Sequence, residues 1–162
     1  PPPASWRRHP FRRPALPAWS LPDTLRAASV ESMKRTAIIA HDGKKNEMLS
    51  LLRPRLDTLR GEQLIATATT GNLVASELGL EVERLESGPH GGDLQIGALV
   101  AGGDVKLVVF LRDPLCAHPH EPDIQALMKI CDVHRVPLAT NVATASLCLE
   151  ALSRDRDLLA VS

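Results

Sequence analysis

The side chains able to move protons fall in short polar stretches separated by apolar ones: His41 with Asp42, then Asp93, Asp113, and His120 with Asp123. Asp93 closes the stretch Ser87-Gly88-Pro89-His90-Gly91-Gly92-Asp93, where three glycines and a proline exclude a regular element and leave a shaped loop. Read alone, that loop is a glycine-rich connection with Asp93 as the N-cap of the following helix. A carboxylate there can also move a proton, and a histidine such as His120 can protonate or polarise a carbonyl or enolate oxygen. Asp123, three residues past His120, can orient that ring or cap a helix. His90 and His118 read as solvent-facing loop residues. A metal is the competing use of His41, Asp42, His120 and Asp123, but no pair has a recognised ligand spacing, so no metal is expected.

Anion-binding chemistry accompanies these groups. Thr67, Thr69 and Thr70 with Gly71 bring hydroxyls and amides to the start of a helix, where the dipole favours an anion, although Thr-Thr-Gly is also an ordinary cap and turn. Lys45 offers a positive charge or is solvated surface, and Ser87 with the Gly88 amide adds donors. Three such loops on one edge of a fold would suit a small phosphorylated ligand. A carboxylate beside a bound phosphate is unwelcome if binding is its only task, which points Asp93 toward proton transfer.

Placing these loops together requires elements between them. Ala37-Ile38-Ile39-Ala40 has the continuous apolar character of a strand buried on both faces. A helical apolar period follows from Met48 to Leu59, with Pro54 predicting a kink. Further strands are expected at Gln63 to Thr67, Val82 to Glu86, Lys106 to Leu111 and Val136 to Thr140. The intervening helices are predicted from about Asn72 to Leu78, from Leu94 to Gly102, through Ile124, Leu127, Met128, Ile130 and Val133, and from Ala143 to Leu152. Pro122 suits a first helical turn. Strand and helix alternate five times, which implies an α/β, doubly wound, five-stranded parallel sheet with helices on both faces. Every polar loop follows a strand, so all should gather at one sheet edge.

Composition narrows the partners. The chain is formally neutral, yet from Met33 onward acidic residues exceed basic ones, so no nucleic-acid face is expected. No apolar run reaches the roughly 20 residues a membrane span needs. Cys116, Cys131 and Cys148 form an odd set without C-x-x-C spacing, which suits reduced thiols in a cytoplasmic protein, with Cys131 and Cys148 as small core residues. Residues 1–32 hold seven of the thirteen prolines together with Arg7-Arg8 and Arg12-Arg13. That tract is expected to be a disordered extension, with 33–162 forming one domain and Met33 resembling a natural start.

Taken together, Ala40-His41-Asp42 with Lys45, the run Thr67 to Asn72, Ser87-Gly88-Pro89-x-Gly91-Gly92-Asp93, Gln95-x-Gly97, Asp113-Pro114-Leu115, Pro119-His120-x-Pro122-Asp123 and Ala139-Thr140-Asn141-Val142-Ala143-Thr144 resemble the methylglyoxal synthase family. The resemblance runs from Thr36 to about Leu149. Departures are Ala68, where a glycine is common, and Gly43-Lys44. It implies a flavodoxin-like domain, usually a homohexamer, that converts dihydroxyacetone phosphate to methylglyoxal and inorganic phosphate without a metal or organic cofactor. Phosphate would be product and inhibitor. Carried across, Asp93 resembles the catalytic base, with His120 and Asp123 also catalytic. His41 and His120 would touch substrate, and Lys45, Thr67, Thr69, Thr70, Ser87 and Gly88 would form its phosphate site. Two other uses of the fold compete: a non-catalytic regulatory module, as in carbamoyl phosphate synthetases, and a cyclohydrolase-like nucleotide enzyme. Asp93, His120 and Asp123 together favour the lyase.

Overall fold

The computed structural model describes residues 34–117 and 120–154; the Pro/Arg-rich tract, Met33 and His118 lie outside them. Five strands, β1 (Arg35–Ala40), β2 (Leu64–Thr67), β3 (Val82–Leu85), β4 (Val105–Leu111) and β5 (Leu138–Ala139), form one parallel sheet in the order β3-β2-β1-β4-β5. Between and after them run α1 (Lys45–Leu52), α2 (Leu56–Leu59), α3 (Ala68–Leu78), α4 (Gly92–Gly102), α5 (Glu121–His134) and α6 (Val142–Arg154). The chain winds outward from β1 through β2 to β3, then crosses back to place β4 on the other side of β1. That reversal opens a crevice at the C-terminal ends of β1 and β4, where doubly wound folds bind ligands.

Alternation along the central strands divides the core in two. Ile38, Ala40, Ala66, Leu107 and Val109 pack with Met48, Leu52, Val74 and Leu149 on the face covered by α1, α3 and α6. Ala37, Ile39, Val108 and Phe110 pack with Ile96, Val100, Ile124 and Leu127 on the face covered by α4 and α5. Both faces of β1 and β4 are therefore dry, which is why these strands read as unbroken apolar runs. At the opposite, N-terminal edge of the sheet, Lys106 Nζ meets Glu62 Oε2 at 2.5 Å in a nearly buried ion pair.

Pro54 interrupts the first helical segment as expected, with the 3₁₀ turn Arg53–Arg55 separating α1 from α2. Four expectations need correction. The helix predicted from about Asn72 begins at Ala68, because Thr67 remains extended at φ −62°, ψ 148° and the chain turns helical at once; Thr69 and Thr70 lie in the first turn of α3, not in a loop. The third strand ends at Leu85, and Glu86 instead donates its N–H to the Gln95 Oε1 at 2.8 Å. The fifth strand is only Leu138–Ala139, an edge strand paired at Val108 and Val109. On α5, Val133 is 63% exposed while Cys131 is fully buried, since Cys131 shares the stripe of Ile124 and Leu127 and Val133 stands opposite Ile124. Burial pushes the Cys131 thiol up to about 11, consistent with an inert core residue. No helix among the described residues is long and apolar enough to cross a membrane.

Candidate active site

The first wall of the crevice comes from β1. His41, the residue after its end, is held under the sheet edge by its own N–H to the Leu111 carbonyl (3.1 Å). Its ring packs edge-on against Phe110, with centroids 5.1 Å apart, and against His120, at 5.9 Å. The Asp113 backbone N–H donates to His41 Nδ1 at 2.9 Å. A backbone amide only donates, so Nδ1 carries no proton, and a neutral His41 must carry its proton on Nε2. The loops after β1 and β4 are thereby locked together by a bond that also sets the tautomer.

The second wall is the glycine-rich stretch, a 3₁₀ turn at Gly88–His90 running into α4. Three amides close it: His90 and Gly92 donate to the Ser87 carbonyl at 2.9 and 3.0 Å, and Gly91 donates to that of Gly88 at 3.0 Å. Gly91 takes φ 91°, a left-handed value that a side chain resists. A Cβ on Gly92 would lie 2.0 Å from the Glu86 carbonyl oxygen, so only glycine lets the turn fold back this closely. This packing carries Asp93 inward.

Asp93 is 1% exposed, and neither of its carboxylate oxygens has a hydrogen-bond partner. The capping alternative is thus set aside: Gly91 occupies the cap position of α4, with no side-chain cap bond. The neighbour of the carboxylate is His120, whose Nε2 lies 3.6 Å from Asp93 Oδ2. Burial raises the Asp93 carboxyl above its ordinary range; His120 opposes that rise and the Asp123 charge adds to it. Gly88 faces the pair so closely that a Cβ would sit 3.0 Å from His120 Nε2 and 3.3 Å from Asp93 Oδ2.

His120 is placed by the start of α5. Its carbonyl accepts from the N–H groups of Asp123 (3.0 Å) and Ile124 (3.2 Å). Pro122 stands in the first turn as predicted. Arg112 ties this helix to β4: its Nη2 meets Glu121 Oε1 at 3.0 Å, and its Nη1 approaches Met128 Sδ at 3.3 Å.

Of the ten residues that the resemblance assigns to the site, seven, His41, Thr67, Thr69, Ser87, Gly88, Asp93 and His120, line a single cavity of about 490 Å³, together with Asp42 and Asp113. Three do not. Lys45 Nζ pairs with Asp42 Oδ1 at 2.6 Å, and it is Asp42 that lines the cavity. Thr70 stands behind the wall, its buried hydroxyl accepting from the Ala40 N–H (3.3 Å) and meeting Thr67 Oγ1 (3.3 Å), so it braces β1 against α3. Asp123 is half-buried and acts on Asp93 through its charge. Phe110 and Cys116 also line the cavity. Phe110 was legible only as a buried strand residue. Nothing in the spacing marked Cys116, an exposed thiol raised by its hydrogen bond to Asp113. Among the described residues no group of three or more His, Cys, Asp or Glu is placed to hold a metal ion.

Such an arrangement can take a proton from carbon, because the buried carboxylate lacks donors that would quench its basicity, and it can donate to a neighbouring oxyanion from His120 and His41. The family model described as an MGS-like domain matches residues 54–140. The methylglyoxal synthase of Burkholderia cenocepacia (strain HI2424) is 57% identical over 124 residues, covering 76% of this chain and 95% of the relative. That of Carboxydothermus hydrogenoformans is 52% identical over 121 residues, covering 75% of this chain and all of the relative. The crystal structure of methylglyoxal synthase from Elizabethkingia anophelis NUHP1 superposes with a TM-score of 0.68 at 40% identity, covering 73% of this chain and 78% of that one.

Proposed function

This chain belongs to the methylglyoxal synthase family, and we propose that it converts dihydroxyacetone phosphate to methylglyoxal and inorganic phosphate in the crevice between the ends of β1 and β4. The observation that carries this reading is Asp93, a buried carboxylate without hydrogen bonds, 3.6 Å from an imidazole. A regulatory binding module has no use for such a group, because a buried charge is costly and is a poor neighbour for a phosphate.

The phosphoryl group is held by Thr67, Thr69, Ser87 and the Gly88 amide at the head of α3 and in the glycine-rich turn, with Lys45 adding positive charge from the start of α1 and Thr70 fixing the threonine turn from behind. At the other end of the substrate, Asp93 takes a proton from the hydroxymethyl carbon. The C–H electron pair becomes a double bond to the former carbonyl carbon, whose oxygen takes up the charge and receives hydrogen bonds from His120 and from His41 Nε2. The terminal hydroxyl then gives up its proton, which His120 passes to the charged oxygen, and becomes an aldehyde. The double bond moves to the phosphate-bearing carbon as its C–O bond breaks and phosphate departs with the electron pair. The remaining enol takes a proton at carbon and becomes methylglyoxal, so that every atom of the substrate is accounted for in the two products. Breakage requires that C–O bond to stand out of the enediolate plane, an orientation the phosphate grip must impose. Asp123 tunes Asp93 from behind His120.

By the same kinship we place the chain in the cytoplasm as a homohexamer, inhibited by the phosphate it releases. The test of the residue assignment is Asp93→Asn. With the fold retained, kcat for dihydroxyacetone phosphate should fall by roughly 10³-fold or more, and turnover near that of the unaltered protein would remove Asp93 from the role of base.

A further inference from the structure

His90 was expected to be a bystander in solvent. Its ring is exposed, yet its Nδ1 lies 2.7 Å from Ser87 Oγ. The two residues are the ends of one 3₁₀ turn, closed by the His90 N–H to the Ser87 carbonyl at 2.9 Å, so backbone geometry holds the pair in register. Ser87 lines the cavity and His90 does not; the imidazole stands on the outer side of the hydroxyl.

A hydroxyl has one proton and two lone pairs. If His90 Nδ1 is bare, the Ser87 proton points outward to the ring, and the hydroxyl turns only lone pairs toward the cavity, which repel an anion. If Nδ1 carries a proton, the ring donates to the hydroxyl oxygen and the Ser87 proton is released inward. A phosphoryl oxygen on a dianion has no proton to offer, so it accepts only from the second arrangement.

We propose that His90 is a positioning residue that turns the Ser87 hydroxyl proton toward the substrate phosphate, its Nδ1 becoming protonated when the phosphate is bound. This rests on the assignment of Ser87 to the phosphate site. The ring acts through Ser87 and stands apart from the reacting carbons, so it should alter binding of substrate and of phosphate without altering the chemical step.

The experiment compares His90→Leu, His90→Asn, Ser87→Ala and the Ser87→Ala/His90→Leu double variant in the full chain, with thermal melting to check that each is folded. His90→Leu should raise KM for dihydroxyacetone phosphate and the inhibition constant of inorganic phosphate together, by about three- to tenfold, with kcat within about twofold. His90→Asn, which retains an N–H beside Ser87, should recover most of the loss. In the Ser87→Ala background His90→Leu should have no further effect. With inorganic phosphate as the probe, the ¹⁵N resonance of His90 Nδ1 should move into the protonated range at constant pH. Loss of affinity in Ser87→Ala but not in His90→Leu, or an Nδ1 that stays bare when phosphate is saturating, would overturn the role of His90. Unchanged KM in Ser87→Ala would instead overturn the placement of phosphate at Ser87, and the role of His90 with it.

Discussion

Asp93 is where stability and chemistry pull in opposite directions. Its carboxyl is raised in the fold, chiefly by burial, so the native protein holds that proton more tightly than the unfolded chain. The stability gained from protonating it is fully present below the ordinary value of 3.8 and is lost as pH rises through the higher native value. At neutral pH the ionised group therefore weakens the fold. Asp93→Asn should accordingly melt a few degrees higher than the unaltered protein at neutral pH, each kcal/mol being worth about 2–4 °C in a chain of this size. The gap should close as pH falls below the usual carboxylate range. An equal or lower melting temperature at neutral pH would mean that the carboxylate is better accommodated than its lack of hydrogen bonds indicates. The sequence could present Asp93 only as a cap or a base, because both roles put an acidic residue at the start of a helix. What separates them is whether amides reach the oxygens, and that depends on how Gly91 and Gly92 fold the turn back. His90 reads as a solvent-facing loop residue for a related reason: an exposed ring and a ring bonded to Ser87 leave the same trace in the sequence.

At the level of elements, the strands were legible where burial is two-sided. β1 and β4 each present unbroken apolar runs, the pattern of a strand buried on both faces. The run Val136 to Thr140 reads as one strand, yet only Leu138 and Ala139 pair with β4. The threonine run reads as a loop because threonine is common in both turns and first helical turns, and only the extended Thr67 marks the boundary. Within the glycine-rich turn two glycines have separate purposes, which substitution can distinguish. Gly92→Ala sets a methyl 2.0 Å from a backbone oxygen, so the turn must open, and a loss of about 2 kcal/mol or more in urea unfolding is expected. Gly88→Ala meets only the side chains of His120 and Asp93; stability should change little while kcat falls about 10²-fold, because the methyl takes the space between base and substrate carbon. Two equally destabilised variants would show that the turn is a structural hinge and not a shaped part of the site.

For the molecule as a whole, the decisive fact is the adjacency of β1 and β4 in the order β3-β2-β1-β4-β5. Right-handed crossovers were enough to predict that the loops share an edge, but no local pattern encodes which strands are neighbours, so the meeting of His41 with Asp113 and His120 had to come from the fold. The buried Lys106–Glu62 pair lies at the other end of the sheet, while the C-terminal edge carries a buried carboxylate whose neighbour is an imidazole. A doubly wound domain can host many reactions on that edge, and an elimination differs from the others in that one substrate leaves as two products in fixed proportion. The full chain incubated with dihydroxyacetone phosphate, with inorganic phosphate and dicarbonyl followed separately, should release both in equal amounts from the first turnovers. Substrate consumed with its phosphate retained would reveal an isomerase, and the absence of both products would contradict the account altogether.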